Sequence, residues 1–175
     1  MAETFVEMLN EPKNSLGRTE EVVAIVLADP TRIDELYQCF FQSDEWVRLR
    51  TSSSFKRIWR ANDELFQPYI AGFVDDVSSI DQASVNWTFA QMCLDLSEKL
   101  DPGQRLAATN RLKAYLGTSD DWIVQNTTIE TLGTWAQTDH NLADWLLPRL
   151  GRLAGNNRSS VAKRATTWLD RLSAI

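Results

Sequence analysis

This chain is short of the side chains that most catalytic chemistry needs. It has one histidine, His140, in 175 residues. A Ser–His–Asp relay would have to use it. It follows Asp139 at a helix-start signal, so it reads as a helix-start residue. The two cysteines, Cys39 and Cys93, show no metal-ligand spacing. Both fall in apolar helical stripes and are expected to be unpaired, buried thiols. Gly-rich phosphate loops, zincin motifs and nucleophile elbows are all missing. The adjacent acids Asp75–Asp76 and Asp120–Asp121 fall at helix ends, where they read as caps or solvated groups rather than metal ligands. The expectation is a protein that is not an enzyme and holds no cofactor and no metal.

Other absences bound the fold. Seven glycines and five prolines fit long helices with short turns. Period-2 alternation, the mark of a half-buried strand, is nowhere sustained. No stretch approaches the roughly 18 apolar residues of a membrane span. Met1–Phe5 has neither a basic region nor a long apolar run, so no export signal is expected, and a soluble, cytoplasmic protein follows. The Asn-x-Ser/Thr triplets at Asn86, Asn126 and Asn157 are then read as chance.

What the chain does have is aromatic weight and repetition. It carries seven tryptophans and a net charge of −6. That charge argues against general nucleic-acid binding, but it is unevenly spread. Residues 1–46 hold 10 acids and 3 bases, residues 47–62 hold 5 bases and no acid, and the remainder holds 14 acids and 10 bases. Val47, Val85, Ile123 and Val161 follow one another at intervals of 38. Ser43-Asp44-Glu45-Trp46 returns as Ser119-Asp120-Asp121-Trp122, and a second Trp follows 13 residues later in each copy, at Trp59 and Trp135. A fixed period of this size marks stacked supersecondary units.

Helical periodicity runs nearly end to end. Ile33, Leu36, Tyr37, Phe40 and Phe41 form one stripe, and Val47, Thr51, Phe55 and Ile58 the next. Phe66, Ile70, Phe73 and Val77 follow, and then Val85, Phe89, Met92, Cys93 and Leu96. Asp29-Pro30 and Asp101-Pro102 offer an Asp cap followed by Pro at the first helical position. Asp44, Asp63, Asp120 and Asp139 are further cap candidates, with Asp81 weaker; Gly117 and Gly155 are stop signals. The reading is an all-α protein of about five antiparallel helix pairs, at 2–28, 31–61, 63–99, 101–136 and 139–175. It is taken as a single helical-repeat domain over 1–175, with 1–28 an irregular capping pair around a turn at Glu11–Gly17 and repeats of about 38 residues over 29–175. Leu36, Val74, Leu112 and Leu150 share one core column. Trp46 with Trp122, and Trp59 with Trp135, are expected to pack between pairs.

Asp44-Glu45-Trp46-Val47-Arg48 resembles the Asp-x-x-Val-Arg that begins the second helix of HEAT repeats, in the armadillo/HEAT superfamily. Asp120-Asp121-Trp122-Ile123-Val124 resembles it less well, because Val124 stands where Arg would. Thr131-Leu132-Gly133 is similar to the Ala-Leu-Gly found later in that helix. The resemblance covers residues 29–175. It implies a right-handed α-α superhelix whose second helices line a concave face, and protein binding as the usual role. It also admits a HEAT-like nucleic-acid-binding or DNA-glycosylase-related protein, though such a face would be rich in Arg and Lys. A bilin-attaching repeat lyase has no supporting residue here.

On that geometry the residues opposite the core stripes should form a partner site. Leu49, Ser53, Lys56, Arg57 and Arg60 would supply one end, Trp87 and Gln91 the middle, and Gln125 and Ile129 the other end. Trp87 lies nearly opposite Val85, Phe89 and Cys93 and would be either the anchor or a packing contact on a neighbouring repeat, and the basic segment 48–60 either a binding rim or a solvated face. An acidic or amphipathic protein segment, or a neighbouring subunit of a larger complex, would suit this surface better than a smooth polyanion.

Overall fold

The computed structural model describes residues 3–11 and 15–174. Among them are eleven α-helices and five short 3-10 segments, with no strand. The helices are α1 (Phe5–Asn10), α2 (Thr19–Ala28), α3 (Ile33–Gln38), α4 (Glu45–Ala61), α5 (Asp63–Phe66), α6 (Ile70–Asp75), α7 (Ala83–Asp95), α8 (Pro102–Thr118), α9 (Trp122–Ala136), α10 (His140–Leu153) and α11 (Ser159–Ser173). The ten expected helical arms are all present. The first arms of the second and third pairs are broken, however. Pro30–Arg32 and Cys39–Phe41 flank α3 as 3-10 turns, and Gln67–Tyr69 separates α5 from α6. Pro30 and Pro68 sit within two of these turns, where a missing N–H and a fixed φ favour a fresh start over a continuous α-helix. Of the expected turn at Glu11–Gly17, residues 12–14 lie outside the described residues.

The caps explain most boundaries. Thr4 and Glu7 form a reciprocal capping box on α1, and Asp101 and Gln104 do the same on α8. Asp44 Oδ1 accepts from the N–H groups of Trp46 and Val47 at 2.8 and 3.2 Å. Asp139 caps α10, accepting from Leu142 N at 3.0 Å. Two expected caps are displaced by one residue. Asn62 rather than Asp63 caps α5, and Asp121 rather than Asp120 caps α9, accepting from Ile123 N and Val124 N at 2.8 and 2.9 Å. Gly117 is no stop: α8 continues to Thr118. Gly155 does follow the end of α10, its N–H bonding Arg152 O at 3.2 Å.

The packing forms two compact units, Met1–Thr88 and Phe89–Ile175. The first is held by an aromatic cluster. Phe40, Phe55, Phe66 and Phe73 are fully buried. Phe73 meets Phe66, Phe40 and Phe55 at ring separations of 4.8, 5.2 and 5.3 Å, and Trp59 lies 5.3 Å from Phe66. Edge-to-face pairs of this kind add about 0.5–1.5 kcal/mol each beyond their buried area. Gly72 lets Tyr37 lie directly on α6: a Cβ there would come within 2.9 Å of the Tyr37 ring. Arg50 is also fully buried. Its guanidinium donates to Leu9 O at 2.7 Å and to Ser15 O at 3.0 and 2.8 Å, tying α4 to α1 and to the turn before α2. Nearby Gly17 takes φ +54, a left-handed conformation that a side chain would strain.

In the second unit Leu112, Leu132, Leu146, Leu150 and Val161 are fully buried. Thr131 Oγ1 donates to Ala90 O at 2.9 Å and Trp135 Nε1 to Ser97 Oγ at 2.8 Å, so these two polar groups of that core are matched. Gly133 sits under Trp168, and an added Cβ would fall 2.7–2.8 Å from two of its ring carbons.

The burial pattern refines the repeat. The column Leu36, Val74, Leu112 and Leu150 is buried throughout, at no more than 6% exposed. In the second arms Val47, Val85 and Val161 are buried, but Ile123 is only half-buried and Val124 takes its place at 0%. Measured by the buried valine the intervals become 38, 39 and 37. The faces of α4 and α9 then match at a spacing of 77, pairing Thr51 with Thr128, Ser54 with Thr131 and Phe55 with Leu132, all of them buried. The slip follows the cap: α9 starts one residue later, from Asp121. It also corrects the pairing of Trp46 with Trp122. Trp122 is the first residue of its helix, as Glu45 is of α4, and is 45% exposed. Trp59 and Trp135 are both buried, at 2%.

Candidate functional site

The expected partner residues are divided between the two compact units. Leu49 and Trp87 do come together, in the first unit. They line a shallow depression of about 430 Å³ with Glu45 and Trp46 of α4 and with Asp81, Gln82, Ala83 and Ser84 at the start of α7. Leu49, Trp46 and Trp87 are each half-buried. Gln82 holds the two walls together. It sits 38 residues after Asp44, in the cap column, and its backbone carbonyl accepts from Val85 N and Asn86 N. Its amide donates to Glu45 O at 2.9 Å and Ser84 Oγ at 2.6 Å, and its Oε1 accepts from Arg48 Nε at 2.6 Å. Arg48 also donates to Gln42 O and Ser43 O at 3.0 and 3.3 Å. The depression is therefore fixed by hydrogen bonds along its floor, while its apolar lining is left partly open.

Ser53, Lys56, Arg57 and Arg60 lie farther along α4, on the same arc as Leu49. Ser53, Lys56 and Arg57 are half-buried and Arg60 is exposed. Arg57 donates to Ser53 O at 3.2 Å and to the Ser53 hydroxyl. The five bases of 47–62 therefore divide. Arg48 and Arg50 reach backbone carbonyls outside α4, and Lys56, Arg57 and Arg60 mark its far half.

Gln125 and Ile129 are corrections. Ile129 is fully buried, and Gln125 is 8% exposed with its amide donating to Ser119 O at 2.8 Å. The one-residue slip in α9 is the reason: at a spacing of 77, Ile129 matches the buried Ser52 rather than the open Ser53. The open arc of α9 instead carries Asn126, Glu130 and Thr134. Gln91 lies in the second unit, in a small cleft of about 170 Å³ with Leu94, Asn126, Thr127, Glu130, Thr131 and Arg164. Glu130 is its polar centre. Its carboxylate accepts from Trp168 Nε1 at 3.0 Å and pairs with Arg164. Burial pushes that carboxyl up, but the bonds from Trp168 and Arg164 and the charge of Arg171 outweigh it and hold it below its usual range.

Trp46, Gln82 and Glu130 are thus residues that the sequence reading missed. Gln82 was legible through the cap column. Trp46 had been assigned to packing, and Glu130 becomes visible only once α9 is counted from Asp121. His140 is exposed at the first position of α10. Cys39 and Cys93 are buried and free. Among the described residues no three His, Cys, Asp or Glu side chains are grouped to hold a metal ion, and no helix is long and apolar enough to cross a membrane. Comparison with protein families, with curated proteins and with solved structures finds no match to this chain.

Proposed function

We propose that this chain is a protein-binding module, a HEAT-like right-handed superhelix of helix pairs that acts as a cytoplasmic adaptor or as a subunit of a larger complex. The observation that carries the reading is the depression shared by Trp46, Leu49 and Trp87. Two half-open tryptophans and a leucine over a hydrogen-bonded floor suit an apolar anchor, because rigid aromatic walls bury large area at little entropic cost. Glu45 and Asp81 on its rim are both exposed acids. Lys56, Arg57 and Arg60 continue along the same arc of α4, about 16 Å from Leu49 to Arg60 at 1.5 Å per residue. The segment that fits is therefore dipolar. It has an apolar anchor, a Lys or Arg beside it over Glu45 and Asp81, and acids about two to three helical turns on.

The test is a peptide library displayed on phage and selected on the purified protein, followed by titration of the winning peptides. They should share an apolar anchor with a cation on one side and acids on the other. Trp87→Ala should weaken them about 30-fold, the roughly 2 kcal/mol of a hot spot, with an unchanged circular dichroism spectrum. Selected peptides that bind Trp87→Ala as well as the parent would dismiss this site. A Trp87→Ala chain that fails to fold would make Trp87 a core residue and dismiss it equally.

A further inference from the structure

The helix α2 is apolar nearly all round. Val22 to Ala28 is an unbroken apolar run, and Val22, Val23 and Val26 face the core. A helix of that character is normally covered on every side. Here Ala24, Leu27 and Ala28 are exposed, Leu27 at 39%, and Leu16 in the preceding turn is 41% exposed. Glu20 and Glu21 lie on the same open arc, and Glu3, Glu7 and Glu11 are exposed beside it, with Arg18 held by Glu3 and Glu21 at 2.7 and 2.8 Å. The face is thus an apolar strip within an acidic field.

A face of opposite character lies on α11. Residues 149–175 carry 6 bases and 1 acid. Lys163, Arg164, Thr167 and Arg171 are exposed on one arc of α11, along a cleft of about 380 Å³ that they form with Ser160 and Glu130. Threonine methyls and the aliphatic stems of Lys and Arg can cover small apolar side chains while their charged ends reach neighbouring carboxylates. The chain therefore carries both halves of one complementary contact.

We propose that the exposed arc of α2 docks on the exposed arc of α11 of a second copy of this chain. The contact is heterologous: each copy offers one face of each kind, so association continues past the dimer unless the geometry closes a ring. Two short helices bury less than the roughly 1,600 Å² of a standard interface, so the affinity should be modest and strongly dependent on salt.

Sedimentation velocity on the full chain tests this, with two sets of surface substitutions. Glu20→Lys with Ala24→Lys makes the α2 face basic, and Lys163→Glu with Thr167→Glu makes the α11 face acidic. The parent should self-associate at low ionic strength and dissociate at high salt. Each double variant alone should associate at least 10-fold more weakly, its two faces now being of like sign, with an unchanged circular dichroism spectrum. Mixed in equal amounts the two variants should associate again. A parent that stays monomeric at low salt overturns the proposal. So does association that neither variant weakens, or a mixture that stays monomeric although both variants are folded.

Discussion

Arg50 belongs to the core although it stands in the basic segment 47–62. It is fully buried and serves the carbonyls of Leu9 and Ser15. Replacing it with Met keeps much of the apolar stem and strands those acceptors. Arg50→Met should therefore destabilise the protein by about 2–4 kcal/mol in urea unfolding, well beyond a surface change. Glu130 gives a pH-dependent counterpart. Its folded carboxyl sits below the ordinary value of 4.5, so its contribution is present at neutral pH and is lost as pH falls through the folded value. Glu130→Gln should lower stability at pH 7, and the difference from the parent should shrink toward zero in strongly acid solution. A difference that is unchanged by pH would mean that the charge of Glu130 is not what holds Arg164 and Trp168. Neither role was legible in the sequence. Arg50 depends on carbonyls 35 and 41 residues away, and Glu130 on partners 34 and 38 residues away.

Helix boundaries were far more legible, because the side chains that set them are local. Asp44, Asp101 and Asp139 cap as their positions suggest. The failures come from neighbouring cap residues that are locally equivalent, Asn62 beside Asp63 and Asp120 beside Asp121. Asp120 and Asp121 are both good caps by type; only the register of the buried face selects between them. The choice is testable: Asp121→Ala should cost about 1 kcal/mol in thermal or urea unfolding, while Asp120→Ala should stay within about 0.5 kcal/mol of the parent. Equal losses at the two positions would remove the explanation given for Gln125 and Ile129. That single residue also accounts for much of the misread site. A slip of one position turns a helix face by about 100° and moves an isoleucine from the open arc to the core. Leu49 and Trp87 are both left partly open, as their helical positions suggest, because α4 and α7 keep the 38-residue spacing.

At the scale of the molecule, the all-helical class followed from periodicity, while the grouping into two compact units did not. Nothing in the local pattern changes at Thr88, which lies inside α7. The cysteines happen to be divided between the two units, Cys39 in the first and Cys93 in the second, both at 0% exposure. Burial pushes the Cys39 thiol up to about 12, with Glu35 adding to the rise, and burial raises Cys93 as well, so neither holds much reactive thiolate near neutrality. Neither should react with a disulfide reagent such as Ellman's on the timescale of an exposed thiol, and both should react fully in denaturant. Labelling of either at the rate of a free thiol would contradict the burial described above. Identifying the modified cysteine by mass spectrometry at low denaturant would show which half of the chain opens first. If both appear at one rate, the protein opens as a single cooperative whole. The chain thus carries a chemical clock in each half, and the coupling between them can be timed without introducing a probe.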